Sequence, residues 1–213
     1  MTLAPDLLDD ARSLAPDLTD LRHRLHADPE IGLDLPRTQE KVLAALDGLP
    51  LEISTGGTTT SVTAVLRGGA VPAGGERQVV LLRGDMDALP VAEEVDVPFR
   101  SAVPGVMHAC GHDLHTAMLA GAARVLAERR DRLAGDVVLM FQPGEEGFDG
   151  ARKMIDSGVL GAAGRPADSA FALHVLPNLV NRASSFIYGV WHDAKYIADH
   201  IVIQDAYMAY GKA

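Results

Sequence analysis

The sequence predicts an α/β domain: a central sheet, mostly parallel or mixed, flanked by helices. Three observations lead there. Apolar runs without polar alternation stand at 79–82 (VVLL), 137–141 (VVLMF) and 170–175 (AFALHV), the pattern of strands covered on both faces. Segments with apolar residues at the helical period lie before and between those runs, as α/β layering requires. Each run ends in, or contains, residues that carry chemistry: Asp85 and Asp87, then Glu145 and Glu146, then His174. Open α/β sheets build their sites at such strand ends.

Taken in order, residues 6–28 read as a helix. Leu18, Leu21 and Leu25 recur at helical spacing, Asp17 to Thr19 offer caps, and Pro29 closes the segment. His23 and His26 have no partner nearby in sequence and read as surface or packing residues. Residues 37–47 form a second amphipathic helix through Val42, Leu43 and Leu46. A glycine and threonine turn at 55–60 precedes a strand at 61–67, and GGAVPAGGER at 68–77 reads as a surface loop. The strand that opens at Val79 runs into Asp85 and Asp87, where capping a turn competes with a role in a site. Residues 114–130 make the clearest helix, with Leu114, Ala117, Met118, Gly121, Ala122, Val125 and Leu126 as its apolar stripe and Asp113 as its N-cap. Residues 136–142 form a second buried strand, 149–157 a short helix, 158–168 a glycine-rich loop, and 170–175 a third buried strand.

The stretch at 106–117, VMHACGHDLHTA, holds the only cysteine, Cys110, and three of the eight histidines, His108, His112 and His115. The glycine between Cys110 and His112 lets thiol and imidazole converge on one point ahead of a helix. Both are good donors to zinc and similar divalent ions. The helix N-terminus behind them favours a thiolate over a thiol. Of the adjacent Glu145 and Glu146, one can bind metal while its neighbour points toward a water. A buried thiol beside solvated histidines is the bland alternative, and the carboxylates and His174 weigh against it.

The 213 residues suffice for one domain of ordinary size, or for a domain with a short appendage. Hydrophobic residues make up 47% and charged residues 23%, a soluble globular composition. The formal charge of −10, without a basic run, makes nucleic acid and anionic membrane poor partners, and neither is expected. A lone cysteine excludes an internal disulfide. The acidic, proline-bearing N-terminus does not read as a signal peptide, and no stretch approaches a transmembrane span. The cytoplasm is the expected location.

Five stretches then occur in order: LRHRLHADPEIG, LLRGDMDALP, VPGVMHACGHDLHTAMLAGAARVL, FQPGEEGFDGARKMI and ALHVLPNL. Together they closely resemble the amidohydrolase branch of the M20 metallopeptidases, which includes hippurate hydrolases, N-acyl-amino-acid deacylases and indole-acetyl-amino-acid hydrolases. The resemblance covers roughly residues 18 to 179. It implies a zinc-peptidase-like catalytic domain with two divalent metal ions, zinc or manganese, with cobalt or nickel as alternatives. It also implies an inserted lid domain, through which such chains would form a homodimer. Carried over residue by residue, Cys110 would be a bridging thiolate, and His112, Glu146 and His174 further ligands. Glu145 would be the general base, and Asp85 would stand near the metals behind the ligands. His115 belongs to the motif but is not taken as a ligand.

The resemblance stops at residue 179. The lid, and the late histidine that completes the family's metal centre, have no counterpart in the remaining sequence. All four tyrosines and Trp191 lie beyond residue 180. The expected organisation is therefore the N-terminal portion of a catalytic domain at 1–179 and a divergent tail at 180–213, a truncated or rearranged member. His192 and His200 read as surface residues. The expected function is metal-dependent cleavage of the amide bond of small N-acyl amino acids, hippurate-like or acetyl-amino-acid-like, by activated water with Glu145 as base. The competing readings are a catalytically impaired metal-binding remnant of such an enzyme, and a non-enzymatic redox or interaction protein.

Overall fold

The computed structural model describes residues 5–72 and 74–175. The expected boundary at 180, the tail beyond it, His192 and His200 lie outside the described residues. Two helices open the chain, α1 (Pro5–Ala27) and α2 (Pro36–Leu46). A hairpin follows, β1 (Leu51–Thr55) and β2 (Val62–Leu66), then β3 (Val79–Asp85) and α3 (His112–Glu128). The last elements are β4 (Asp136–Gln142), α4 (Gly150–Asp156) and β5 (Ser169–Ala172). The sheet order is β1-β2-β4-β3-β5. β2 is antiparallel to β1 and β4, while β3 is parallel to both β4 and β5. The architecture is a mixed sheet flanked by helices.

The central strand β4 is buried at every position. Its side chains alternate between two cores, as the period of two demands. Val137, Leu139 and Phe141 join Leu21, Leu25, Val42, Leu46 and Ala120 under α1, α2 and α3. Val138 and Met140 join Val65, Val79, Leu81 and Met154 under α4. The unalternating apolar run of the sequence is thus the mark of a strand with two covered faces.

One strand is unforeseen and three expectations need correction. β1 carries no sequence signal, because LEIST is an edge strand with one half-buried residue and four exposed. α1 runs through Pro16, so Asp17 to Thr19 lie inside it rather than capping it. β5 is exposed, not buried: it is the edge of the described sheet, with Phe171 54% and Leu173 50% accessible. The buried face of α3 includes Thr116, Ala117, Leu119, Ala120, Ala123 and Ala127, so the predicted stripe is rotated from the true one. α3 is covered by β3 on one side and α1 on another, and small residues serve both contacts. At Gly121 an added Cβ would lie 2.6 Å from Leu18 Cδ1, so the glycine sets the approach of α1.

Candidate metal centre

Because β3, β4 and β5 are mutually parallel, their C-terminal ends share one edge of the sheet. Asp85 ends β3, the turn at 143–149 follows β4, and His174 lies just past β5. The N-terminus of α3 reaches the same edge and brings Cys110 and His112. Three groups there place ligand atoms within 4.8 Å of one another: Cys110, His112 and His174; Asp85, His112 and His115; and His112, Glu145 and Glu146. His112 belongs to all three and is the centre of the cluster.

The turn into α3 depends on Gly111. It has φ +80, in the left-handed region that glycine tolerates, and an added Cβ would lie 2.4 Å from Val175 Cγ2. Cys110 Sγ is thereby set 3.3 Å from His174 Nε2. His174 is oriented from its other nitrogen, Nδ1, by the Val175 carbonyl at 2.7 Å, an arrangement that fixes a ligating tautomer. His112 is fully buried, and neither ring nitrogen has a hydrogen-bond partner. Its Nε2 lies 3.7 Å from Asp85 Oδ2 and 3.9 Å from Glu146 Oε1, and its Nδ1 lies 3.5 Å from Asp87 Oδ1. Buried polar atoms without partners are costly. An imidazole so placed, ringed by a thiol and carboxylates, has the donor set a divalent cation takes. The residues fit the metal that the motifs imply.

The surroundings hold this cluster in place. Asp87 accepts the backbone N–H groups of Glu145, at 2.9 Å, and Glu146, at 3.0 Å, so it organises the whole acidic turn. Asp85 accepts from His115 Nδ1 at 2.6 Å and from Arg83 at 2.5 Å. His115 Nε2 in turn accepts the N–H of Val175 at 2.9 Å, which ties α3 to the segment carrying His174. Burial pushes the Asp85 carboxyl pKa up, but the His115, Arg83 and His112 contacts outweigh it and hold the pKa at about 2. Burial lowers the His112 pKa, while Asp87 and Asp85 overcome that and raise it.

The expected residues Cys110, His112, Glu146, His174, Glu145 and Asp85 all converge on the one edge. Three details differ from the sequence reading. The Cys110 thiol is not eased toward thiolate: burial and the charges of Glu146, Glu145 and Asp85 push its pKa up to about 12. Those contacts outweigh the partial positive charge of the helix terminus. Glu145 and Glu146 leave the strand before they separate, and both carboxylates stay within reach of His112. Asp113 does not cap α3, whose N-cap is Gly111. It is buried against Arg22 and His26. His115 was within reach of sequence reasoning, since it stands three residues after His112 on the same helical face. Asp87 holds the backbone of the acidic turn and also lies against His112 Nδ1.

Among the described residues no helix is long and apolar enough to cross a membrane. A mixed sheet that gathers thiol, imidazole and carboxylate donors at one edge defines an α/β domain with a candidate metal centre. Residues 81–186 match the family model described as peptidase family M20/M25/M40, and the chain belongs to that family. It is 42% identical over 155 residues to the IAA-amino acid hydrolase ILR1-like 5 of Arabidopsis thaliana, covering 73% of this chain and 33% of the relative. It is 37% identical over 198 residues to thermostable carboxypeptidase 2 of Saccharolobus solfataricus, covering 92% of this chain and 46% of the relative. The Bacillus subtilis YXEP protein, described as a dinuclear metal binding peptidase from the M20 family, superposes with a TM-score of 0.71 at 37% identity. That match covers 79% of this chain and 45% of the other. The chain thus spans less than half the length of these relatives.

Proposed function

We propose that this chain carries the metal centre of an amidohydrolase that cleaves N-acyl amino acids. The observation that carries the reading is the buried His112, with two unpartnered ring nitrogens amid Cys110, His174, Asp85 and the Glu145–Glu146 turn. The relatives' names, a hydrolase of an amino acid conjugate and a carboxypeptidase, share one bond type. In both the scissile amide nitrogen belongs to an amino acid.

In this reading Cys110, His112, Glu146 and His174 hold two divalent ions, zinc or manganese, and Asp85 orients the site from behind. Bound divalent ions supply Lewis acidity, which acidifies a water and polarises the scissile carbonyl. Glu145 accepts the proton of the attacking water as its oxygen bonds to the carbonyl carbon. It returns that proton to the amide nitrogen as the carbon–nitrogen bond breaks, releasing a carboxylate and a free amino acid. Glu145 suits both transfers, because its side chain is exposed while Asp87 grips its backbone. A cysteine used as a ligand suits a reducing compartment, in keeping with the cytoplasm.

The test is turnover of N-acetyl, N-benzoyl and indole-acetyl amino acids by chelator-stripped protein reloaded with manganese or zinc. Hydrolysis is expected, with Glu145→Gln abolishing it while metal content stays near normal. Equal turnover of substrates whose α-carboxylate is blocked would contradict the substrate class. A second reading is a domain that binds metal without turnover. It is favoured by the exposure of His174, a ligand of this reading that the described residues leave open. Tight ion binding with no hydrolysis of any of these substrates would select it.

A further inference from the structure

The motif at 21–32 contributes no residue to the metal cluster, yet it contains a buried histidine. His26 is 5% exposed and stands in the last turn of α1. Its Nδ1 lies 2.9 Å from Asp113 Oδ2 and its Nε2 lies 3.1 Å from Glu93 Oε1. Asp113 and Glu93 are themselves buried, at 1% and 6% exposure. A neutral imidazole donates from one nitrogen only, so a ring with a carboxylate at each nitrogen is the imidazolium. The direction of the His26 pKa agrees: the Asp113 hydrogen bond raises it, burial opposes, and Glu93 raises it further. With Arg22, itself partly exposed, donating to Asp113 at 3.1 Å, two cations balance two carboxylates.

What the cluster joins gives it a purpose. Asp113 follows His112 in the first turn of α3. Glu93 belongs to the irregular stretch between β3 and α3, whose base is closed by paired backbone bonds between Leu89 and Met107. That stretch runs straight into Cys110. Glu93 folds it from within, accepting the Ser101 N–H at 2.7 Å through Oε2 and the Arg100 guanidinium through its carbonyl. α1 adds the Ala27 carbonyl, which accepts the Ala102 N–H at 2.8 Å. His26 is therefore a common anchor for the loop that delivers Cys110 and the helix that delivers His112. Within the connecting segment 106–111, Cys110 is bonded onward to His174, at the metal cluster itself. The buried His108 ring has no hydrogen-bond partner.

We propose that His26 is a positioning residue for the metal centre, its ring clamped between Glu93 and Asp113 so that Cys110 and His112 converge on the same ion. The inference rests on the reading of that cluster as a metal site. Cobalt titration of the metal-free full chain separates the two, because a cobalt–thiolate absorption band reports Cys110 ligation directly. A wild-type chain that binds cobalt without this band would overturn the metal reading itself. Given a wild-type band, His26→Gln is expected to weaken cobalt binding by about tenfold to a hundredfold, the usual effect of losing a partner that orients a ligand, and to diminish the band at saturation. Glu93→Gln, which preserves volume and the Asp113 contact, is expected to lose less. It also serves as the test should His26→Gln fail to fold. The control is Asp136→Asn, which disrupts a buried carboxylate bridging Arg67 and Arg77 at the opposite end of β4. It is expected to lower thermal stability while leaving cobalt affinity and the band unchanged. Wild-type affinity and band in both His26→Gln and Glu93→Gln would overturn the proposal. So would an equal loss of cobalt affinity in Asp136→Asn, which would mean that destabilisation anywhere loosens the site.

Discussion

Cys110 holds its proton tightly, since burial and three acidic neighbours push its pKa up to about 12. At neutral pH the metal-free chain therefore carries a thiol, and a cation that takes sulfur as a ligand must displace a proton. Metal affinity is expected to rise with pH throughout the neutral range, since proton and metal compete for the same sulfur. Calorimetry in buffers of differing ionisation enthalpy checks this. The apparent binding enthalpy is expected to follow the buffer, and Cys110→Ser to weaken that dependence. An enthalpy indifferent to the buffer would contradict ligation by Cys110. At this scale much of the site was legible: residue types and motif spacing pointed to Cys110, His112, Glu145, Glu146 and His174. The His26–Asp113 pair was not, because its members stand 87 positions apart and on different helices. Their pairing is decided by how α1 packs on α3, which no local pattern encodes.

The turn from loop to α3 is the element on which the cluster pivots. Gly111 is constrained twice, by φ +80 and by Val175 Cγ2 at 2.4 Å from an added Cβ. Gly158 shares the backbone constraint, with φ +90, but an added Cβ there meets nothing within 4 Å. Gly111→Ala and Gly158→Ala are each expected to cost about 1–2 kcal/mol from the left-handed backbone alone. Gly111→Ala is expected to cost more, and only it to weaken metal binding, because it pushes Val175 and the neighbouring His174 away from Cys110. Urea unfolding and cobalt titration of the two variants make the comparison, and equal behaviour would contradict it. Elements were legible where burial was symmetric, as in β4, whose run of apolar residues maps onto two cores. β1 was not, since an edge strand with exposed polar residues resembles a turn. β5 departs from its pattern for the opposite reason: its apolar sequence predicts cover that the described residues do not provide.

At the scale of the whole fold, the candidate metal ligands among the described residues gather at one edge of the sheet, where three parallel strands end and one helix begins. Such an edge carries converging charge at a cost in stability, which a bound cation relieves. Ions that bind the folded chain stabilise it by mass action, so melting temperature is expected to rise with added manganese or zinc and fall back on chelation. Whether the edge is a metal centre is settled by counting ions. Chelator-stripped wild-type chain, dialysed against excess zinc or manganese and then against metal-free buffer, is analysed for metal by mass spectrometry beside Cys110→Ala and His112→Ala. More than one ion per wild-type chain, and a clear loss in both variants, is the expected result. Wild-type protein that retains no more metal than the two variants would contradict it.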